Sequence, residues 1–454
     1  MKPSIFADAV ITACQACDGH ALAELFAIGG GVAASALLEL GDVRPGGMIC
    51  SLRKCSGYLG SPWEDMCVNH LRSLYSFSLA SSLPASASDA VDGEGKTRSE
   101  RLGEAFDAYN SVVSAFVRYF STLTPGRWAL PLLRILCLNL RWLAVQADSA
   151  AHIASVSNTW APTRSTQPNK RLEECARQLN KAFSACIADR NADMHESRKW
   201  GTYEVVGMVF KTYFRLKSVG LCRNILRAIN AADLPDLCAY PRSQQVTFRY
   251  YVGVLAFLNE EYDHAELELQ ASLQMCHRCA LINQGLILTY LIPVKLLKGS
   301  LPHPSLLDPT TPIGRKLAVY QPFTRALRTG DVKAFDQALA NPTIESSLVK
   351  RGTYIAIERA RDATLRTLLK TIWLSLPLNP TNTRPTRLTL TLLHHATSTD
   401  LIRLKYSIKE LEWILATLIY KGYVKGYIAH ERGVLVLSAK DAFPALRTVA
   451  IATT

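Results

Sequence analysis

Two pairs of cysteines have the spacing at which proteins bind zinc or exchange disulfides. Cys14 and Cys17 form one pair, and Cys276 and Cys279 form the other. Four thiolates can ligate one zinc ion, and a Cys-x-x-Cys pair can act as a redox dithiol. Both pairs lie in helically patterned segments without the turn glycines and short strands of zinc knuckles. We therefore expect packing cysteines, no metal and no cofactor; a thiol or zinc enzyme built on Cys276 and Cys279 is the alternative hypothesis.

The short motifs that accompany nucleotide binding or hydrolysis are missing from the sequence. There is no Gly-x-Gly-x-x-Gly, no Walker loop, no His-Glu-x-x-His and no Gly-x-Ser-x-Gly. Each of these motifs binds phosphate, metal or an acyl group through a defined geometry. The glycine run at 29–31 is not followed by Lys-Ser or Lys-Thr. No catalytic residue is predicted, and the protein is expected not to be an enzyme.

Basic and aromatic side chains occur together at 198–200, at 211–217 and at 421–432. This mixture suits phosphate contact and base stacking. Lys and Arg exceed Asp and Glu by 13 (51 against 38), which favours a polyanionic or acidic partner. In the first two clusters the simpler interpretation is that the rings are core and the cations are its solvated rim. The residues predicted to bind nucleic acid are Lys421, Lys425, Tyr427 and Arg432, together with Arg215 and Lys217.

Helices must position these residues, because apolar side chains recur at three- and four-residue intervals over most of the chain. Very short turns at 259–261 and 329–331 force neighbouring helices to be antiparallel. The sequence therefore predicts a mainly-α fold, a right-handed stack of helical hairpins. The predicted helices downstream of residue 200 are 203–216, 221–230, 244–258, 262–276, 281–297, 316–328, 332–340 and 354–376.

One hairpin has the pattern of a tetratricopeptide-like repeat. Gly253 is followed by Tyr262, Ala265 and Leu269, the spacing at which small residues of such repeats let two helices approach closely.

Composition divides the chain into segments. A linker rich in Ser, Ala and Gly is predicted to be disordered, and a later stretch with prolines and small polar residues is predicted to be a loop. The segments are an N-terminal helical segment (1–80), the disordered linker (81–100), a helical hairpin region (101–154), the loop (155–170), helical repeats (171–380) and a C-terminal module (384–454).

Neither secretion nor membrane insertion is indicated. The N-terminus lacks the architecture of a signal peptide, so a reducing compartment is expected for the 12 cysteines. The most apolar stretch, 128–147, carries Arg134 and Arg141, which lipid would bury at a cost of several kcal/mol. No transmembrane segment is predicted.

The pattern changes after residue 384. A short helix is predicted at 388–395, and a second, amphipathic helix begins after Ser407, a natural N-cap, and ends at Gly422. Two β-rich runs, 423–428 and 434–438, are joined by a turn. This order predicts a winged helix, whose second helix carries acidic residues and whose hairpin is basic.

Four stretches carry a resemblance to a known family. Helical hairpins that end in a winged helix are the layout of PCI domains, and these stretches are similar to the PCI-containing protein two family, which includes Thp-one and COP9-signalosome-subunit-twelve-like proteins. They are SRKWG (197–201), QVTFRYYVG (245–253), LTYLIPVK (288–295) and LIYKGYVKGYI (418–428).

The resemblance implies a subunit of a TREX-type complex that couples transcription to mRNA export. Its implied partners are a Sac-three/GANP-like large PCI scaffold, a small acidic DSS-one/Sem-one-like protein, and RNA or DNA. It also implies a nuclear location that includes the nuclear-pore periphery. Two alternatives stay open: a paralogue acting in transcription elongation and splicing, and a pure protein-interaction scaffold without nucleic-acid binding.

Overall fold

The chain divides into two compact units, Met1–Gln245 and Val246–Thr454, called here the N-terminal and C-terminal units. The structure is a computed structural model, and it describes residues 3–29, 31, 35, 60–84, 91–157, 169–378, 383–398 and 406–449. Much of the predicted N-terminal helical segment and the centre of each predicted linker or loop lie outside these ranges.

The N-terminal unit is helical throughout its described part, apart from turns and one isolated β-bridge. Its α-helices are α1 (Pro3–Gln15), α2 (Gly19–Leu25), α3 (Trp63–Ser82), α4 (Arg98–Thr122), α5 (Leu130–Ser157), α6 (Lys170–Ile187), α7 (Thr202–Arg215) and α8 (Cys222–Ala231).

Helix α5 is the apolar centre of this unit. The segment Arg127–Ala154 includes most of α5 and is long and apolar enough to cross a membrane. Leu133, Leu136 and Leu140 are nonetheless buried in the protein core, against α4 and α6. Arg134 forms an ion pair with Glu204 on α7, at 2.7 Å. These contacts characterise α5 as a core helix.

Residues 91–97, which composition assigns to a disordered linker, form an ordered turn before α4. The Nε of Arg101 donates to Asp92 at 2.5 Å, and Arg101 is only 2% exposed. This hydrogen bond lowers the pKa of Asp92 to about 2. Helix α3 also continues through Ser82, while 85–90 lie outside the described residues. Small polar residues predict mobility, but they do not reveal a buried arginine in the next helix.

His70 on α3 is fully buried among the rings of Phe6, Phe26 and Tyr109. Within the part of the unit that the structure describes, neither of its ring nitrogens has a hydrogen-bond partner of ordinary geometry. Burial lowers the pKa of His70 to about 3, and the nearby carbonyl of Leu25 offsets this only in part. The histidine is therefore neutral in the folded protein at every ordinary pH.

This burial makes the stability of the N-terminal unit depend on pH. The unfolded chain protonates His70 below its ordinary pKa of 6.5, whereas the folded chain does so only near 3. As the pH is lowered from 6.5 towards 3, the free energy of unfolding should therefore decrease by about 1.4 kcal/mol for each pH unit. Urea unfolding at several pH values between 7 and 4.5 measures this dependence of the unfolding free energy on pH, and His70→Leu should make its slope smaller. His20→Gln, which changes an exposed histidine, is the control; a slope that His70→Leu leaves unchanged would contradict the assignment.

The C-terminal unit continues the helices and then adds a small sheet. Helix α9 (Arg242–Leu258) begins at the end of the N-terminal unit. It is followed by α10 (Tyr262–Met275), α11 (Leu281–Leu297), α12 (Pro312–Leu317), α13 (Gln321–Thr329), α14 (Val332–Leu339), α15 (Pro342–Arg351) and α16 (Tyr354–Ser375).

Two differences from the predicted helices come from prolines and local geometry. The predicted helix at 316–328 is divided by a 3₁₀ turn, Ala318–Tyr320. Helix α15 was not predicted, because Pro342 resembles a breaker in the sequence. In the structure Pro342 occupies the first turn, where no backbone N–H is needed, and Asn341 caps the helix.

The predicted tetratricopeptide-like hairpin is formed by α9 and α10. A Cβ atom on Gly253 would lie 2.7 Å from Cγ of Leu269. Tyr262, Ala265 and Leu269 are all buried. The glycine is therefore required by the close approach of the two helices, which confirms the interpretation of this spacing.

The winged helix follows the stack. Its elements are β1 (Arg387–Thr389), α17 (Leu390–Ser398), α18 (Ile408–Tyr420), β2 (Gly426–Ala429) and β3 (Val434–Leu437). The strands form one antiparallel sheet in the order β1-β3-β2. Strand β1 was not predicted: the sequence places residue 388 in a helix, because three residues carry no recognisable period.

The ends of α18 are those that the sequence predicts. Ser407 caps the first turn and forms a capping box with Glu410. Gly422 follows the helix with a φ of +78°, a conformation that glycine adopts without strain. The predicted mainly-α helical stack with a terminal winged helix is confirmed.

Candidate nucleic-acid interface

Helix α16, the last helix of the stack, holds the winged helix through polar contacts along its length. Arg361 Nη2 donates to the hydroxyl of Tyr406 just before α18, at 2.7 Å. Trp373 Nε1 donates to the carbonyl of Pro385 just before β1, at 2.9 Å. Arg366, between them, donates to carbonyls in the segment that follows the wing. The module therefore has a fixed position on the last helix of its own unit.

The sheet has an inner and an outer face. Leu388, Leu435 and Leu437 point inward and are buried. On the outer face Val436 of the central strand pairs with Arg387 on one side and Tyr427 on the other. Arg387 is exposed, and Tyr427 is 63% exposed. A cation and an aromatic ring thus share one row on the solvent face of the wing.

Two of the predicted phosphate-binding lysines are engaged in ion pairs. Lys421 Nζ lies 2.6 Å from Asp362 on α16, and both side chains are partly buried. Lys425 Nζ lies 2.9 Å from Asp441, and both are about half exposed. Lys421 thus also anchors the module to α16, while the exposed Lys425 pair contributes little to stability.

The tip of the wing lies against α18. His430 Nδ1 is 2.6 Å from Glu412 Oε1. Arg432, two residues further on, is exposed and has no ion-pair partner among the residues that the structure describes. Lys421 and Lys425 are thus in ion pairs. Of the four predicted wing residues, only Tyr427 and Arg432 are outside the ion pairs formed within the described ranges.

The sequence prediction missed the outward stripe of α18. Leu411, Leu415 and Leu418 face the core. The opposite side carries Trp413, which is 70% exposed, and Tyr420, which is 90% exposed. The signal was present, because residues seven apart share a helical face and neither aromatic lies on the apolar stripe.

Arg215 and Lys217 belong to the N-terminal unit and are exposed at the end of α7. Tyr213 beside them is buried, and its hydroxyl accepts a hydrogen bond from Asn180. The ring is core and the cations are its rim, as the simpler interpretation of this cluster predicts.

The cluster at 198–200 is structural. Arg198 is buried and pairs with Asp189 at 3.1 Å. Trp200 Nε1 donates to the carbonyl of Met194 at 2.7 Å. The charge of Arg198 and the indole N–H of Trp200 are thus both paired inside the N-terminal unit.

The cysteine pairs lie in separate units. Burial raises the pKa of Cys14 to about 12, and it also raises the pKa of Cys276. Both shifts disfavour the thiolate that a nucleophile or metal ligand requires. Within the described residues, no group of three or more His, Cys, Asp and Glu side chains is arranged to hold a metal ion.

Several known proteins are similar to this chain over most of its length. Protein CSN12 homolog of Neurospora crassa is 38% identical over 360 residues, which is 75% of this chain and 77% of that protein. Protein CSN12 homolog of Schizosaccharomyces pombe is 37% identical over 344 residues, with the same coverage. PCI domain-containing protein 2 of Danio rerio is 30% identical over 396 residues, 87% of this chain and 88% of that protein. No protein-family model matches the chain.

Helical repeats followed by a winged helix, together with these relatives, define a PCI-domain protein of the scaffold type. The chain belongs to the family of the CSN12 homologs and PCI domain-containing protein 2. The family resemblance predicted from the four sequence stretches is thereby confirmed.

Proposed function

We propose that the chain is a non-catalytic scaffold subunit of a TREX-type nuclear complex that couples transcription to mRNA export. In this proposal its winged helix, beside that of a partner PCI subunit, forms a basic platform for RNA or DNA. The observation that carries it is the wing itself, where Arg387, Tyr427 and Arg432 are exposed on a module fixed to α16. Cations with aromatic rings suit phosphate contact and base stacking.

The proposed partners follow from the family and from charge. A Sac-three/GANP-like scaffold would supply the second winged helix, and a small acidic DSS-one/Sem-one-like protein would be attracted by the excess of 13 basic residues. The proposed location is the nucleus, including the nuclear-pore periphery. Burial raises the pKa of the Cys276 thiol, which disfavours the alternative of a thiol enzyme built on that residue.

Reversing the charge of Arg387 and Arg432 together should weaken RNA binding by about 10-fold or more near 100 mM salt. Two phosphate contacts would be lost, so the slope of log affinity against log salt should decrease by about one to two. Fluorescence anisotropy with a labelled oligonucleotide, repeated at several salt concentrations, measures both quantities.

Lys350→Glu is the matched control, because Lys350 is an exposed cation on α15 of the same unit. Lys421→Glu is unsuitable, since it would place a second carboxylate beside Asp362. Arg215→Glu with Lys217→Glu, measured in the same way, decides whether the N-terminal unit adds contacts. If the wing variant binds as tightly as the original protein with the same salt slope, the wing does not contact phosphate.

A second candidate function is favoured by the degree of similarity. The CSN12 homologs of three fungi are 36–38% identical to this chain, against 30% for PCI domain-containing protein 2 of Danio rerio. We propose as the alternative a COP9-signalosome-subunit-twelve-like role in transcription elongation and splicing. Affinity purification of the full chain, followed by identification of the large PCI partner, distinguishes the two. A chain that scaffolds either complex without contacting RNA would leave the anisotropy experiment without signal.

A further inference from the structure

The outward stripe of α18 consists of Lys409, Trp413, Ala416 and Tyr420, which recur at intervals of four, three and four residues. All four are exposed. They lie opposite the buried leucines of the same helix, so the core does not use them. Leaving two large aromatic rings in water is unfavourable, because their apolar surface is not buried. Within the described part of the chain, no ring contact compensates for this exposure.

We propose that this stripe, the aromatic platform, stacks the bases of single-stranded nucleic acid. The proposal rests on the proposed function and specifies its substrate class. Base stacking on aromatic rings tolerates any sequence, because every base has a π-face. The platform would therefore add affinity and strand-type selectivity without reading a sequence.

The flanks of α18 favour a single strand over a duplex. Glu410 and Glu412 lie on either side of the platform, and both are held in place, by the capping box with Ser407 and by contact with His430. A helix in a major groove about 12 Å wide has a phosphate backbone on each side. Both carboxylates would then face phosphates. A single strand has one backbone, which can follow the side where cations lie.

The spacing along the platform matches a short stretch of stacked bases. Trp413 and Tyr420 are seven residues apart, or about 10.5 Å along the helix axis at 1.5 Å per residue. Three nucleotide steps of about 3.4 Å cover nearly the same length. Each ring can therefore cap one end of a short run of bases.

Cations lie at one end of the platform. Lys409 is exposed in the first turn of α18. The contact between His430 and Glu412 brings the wing tip, with Arg432, to the same half of the helix. Neither Lys409 nor Arg432 has an ion-pair partner within the described ranges, so both charges are available to the phosphates of a strand lying on the platform.

The test uses the full chain with a labelled 15-nucleotide poly-U strand and a 15-base-pair duplex of mixed sequence. Trp413→Ala and Tyr420→Ala should each weaken binding of the single strand by about 5- to 100-fold. They should change duplex binding by less than about twofold and leave the salt slope unaltered, because no phosphate contact is removed. Tyr420→Phe keeps the ring and should retain affinity. Leu267→Ala, which removes an exposed apolar side chain of α10, is the control.

The outcomes separate this inference from the proposed function. If the alanine variants bind the single strand normally while Arg432→Glu weakens it, the platform is refuted and the basic wing stands. Equal loss on single strand and duplex also refutes it. Loss of a co-purifying protein with normal RNA binding would instead make the stripe a protein-docking surface. If the unchanged protein binds neither nucleic acid, the proposed function and the platform fail together.

Discussion

Replacing Asp189 by alanine should destabilise the N-terminal unit by about 3–5 kcal/mol. Its carboxylate accepts hydrogen bonds from the Ser197 hydroxyl and the Arg198 backbone N–H, each at 2.7 Å, and from Arg198 Nη2 at 3.1 Å. Arg198 also donates to the carbonyl of Phe120 at 2.6 Å. Both members of the pair are buried. The substitution would leave a guanidinium charge in the core without its carboxylate.

The pKa of Asp189 expresses the same balance. Burial alone would raise it, but hydrogen bonds from Ser197 and Arg198 and the charge of Arg198 outweigh burial and hold it below its ordinary value. The folded protein therefore favours the charged carboxylate, which is the form that pairs with Arg198. Stability from this group is present above the ordinary pKa of an aspartate and is lost as the pH falls through the lowered value.

Thermal and urea unfolding measure the effect, with an expected decrease in melting temperature on the order of 10 °C. Asp233→Asn is the matched control, because Asp233 is 93% exposed in an ion pair with Lys199; it should change stability by less than about 0.5 kcal/mol. If the two variants are equally stable, the buried pair does not hold this part of the unit together.

Replacing Arg366 by methionine should destabilise the C-terminal unit by about 2–4 kcal/mol. Arg366 Nη2 donates to the carbonyls of Phe443 and Pro444 at 2.9 and 2.6 Å. The arginine is buried, and its guanidinium lies 5.8 Å from the centre of the Phe443 ring. Methionine fills a similar volume but cannot donate, so two buried carbonyls would lose their partner.

Urea unfolding gives the stability change, and amide hydrogen exchange shows where it acts. Protection should decrease in β2, β3 and the segment after them more than in α9 or α10. Arg325→Met, which changes an exposed arginine of α13, should leave both measurements unaltered. A stability equal to that of the original protein would mean that Arg366 serves only to fill space.

Short sequence patterns predicted the features that depend on a few residues close together in the chain. Ser407, three residues before Glu410, encodes a capping box, and Gly253 encodes a close approach of two helices. Strand β1 could not be predicted in this way, because its three residues are defined by pairing with a strand that follows more than forty residues later.

At the candidate site, the structure pairs some predicted cations with acidic residues that are far away in the sequence. Lys421 belongs to a basic, aromatic stretch that is typical of phosphate contact, but Asp362, its partner, lies 59 residues earlier. Arg198 likewise belongs to a stretch that suits nucleic acid, and its charge is used by Asp189. Charge counts along a sequence therefore predict which cations exist and not which ones are free.

Strand β3 lies between β1 and β2, so the wing hairpin is part of a three-stranded sheet. A two-stranded hairpin alone is marginally stable in water, and β1 adds a third strand to it through a pairing that spans more than forty residues of the chain. Closing the intervening segment costs conformational entropy, which the pairing of β1 with β3 must offset. A ligand that binds only the completed wing therefore also stabilises the pairing of β1 with β3, so affinity and folding of this module are thermodynamically linked.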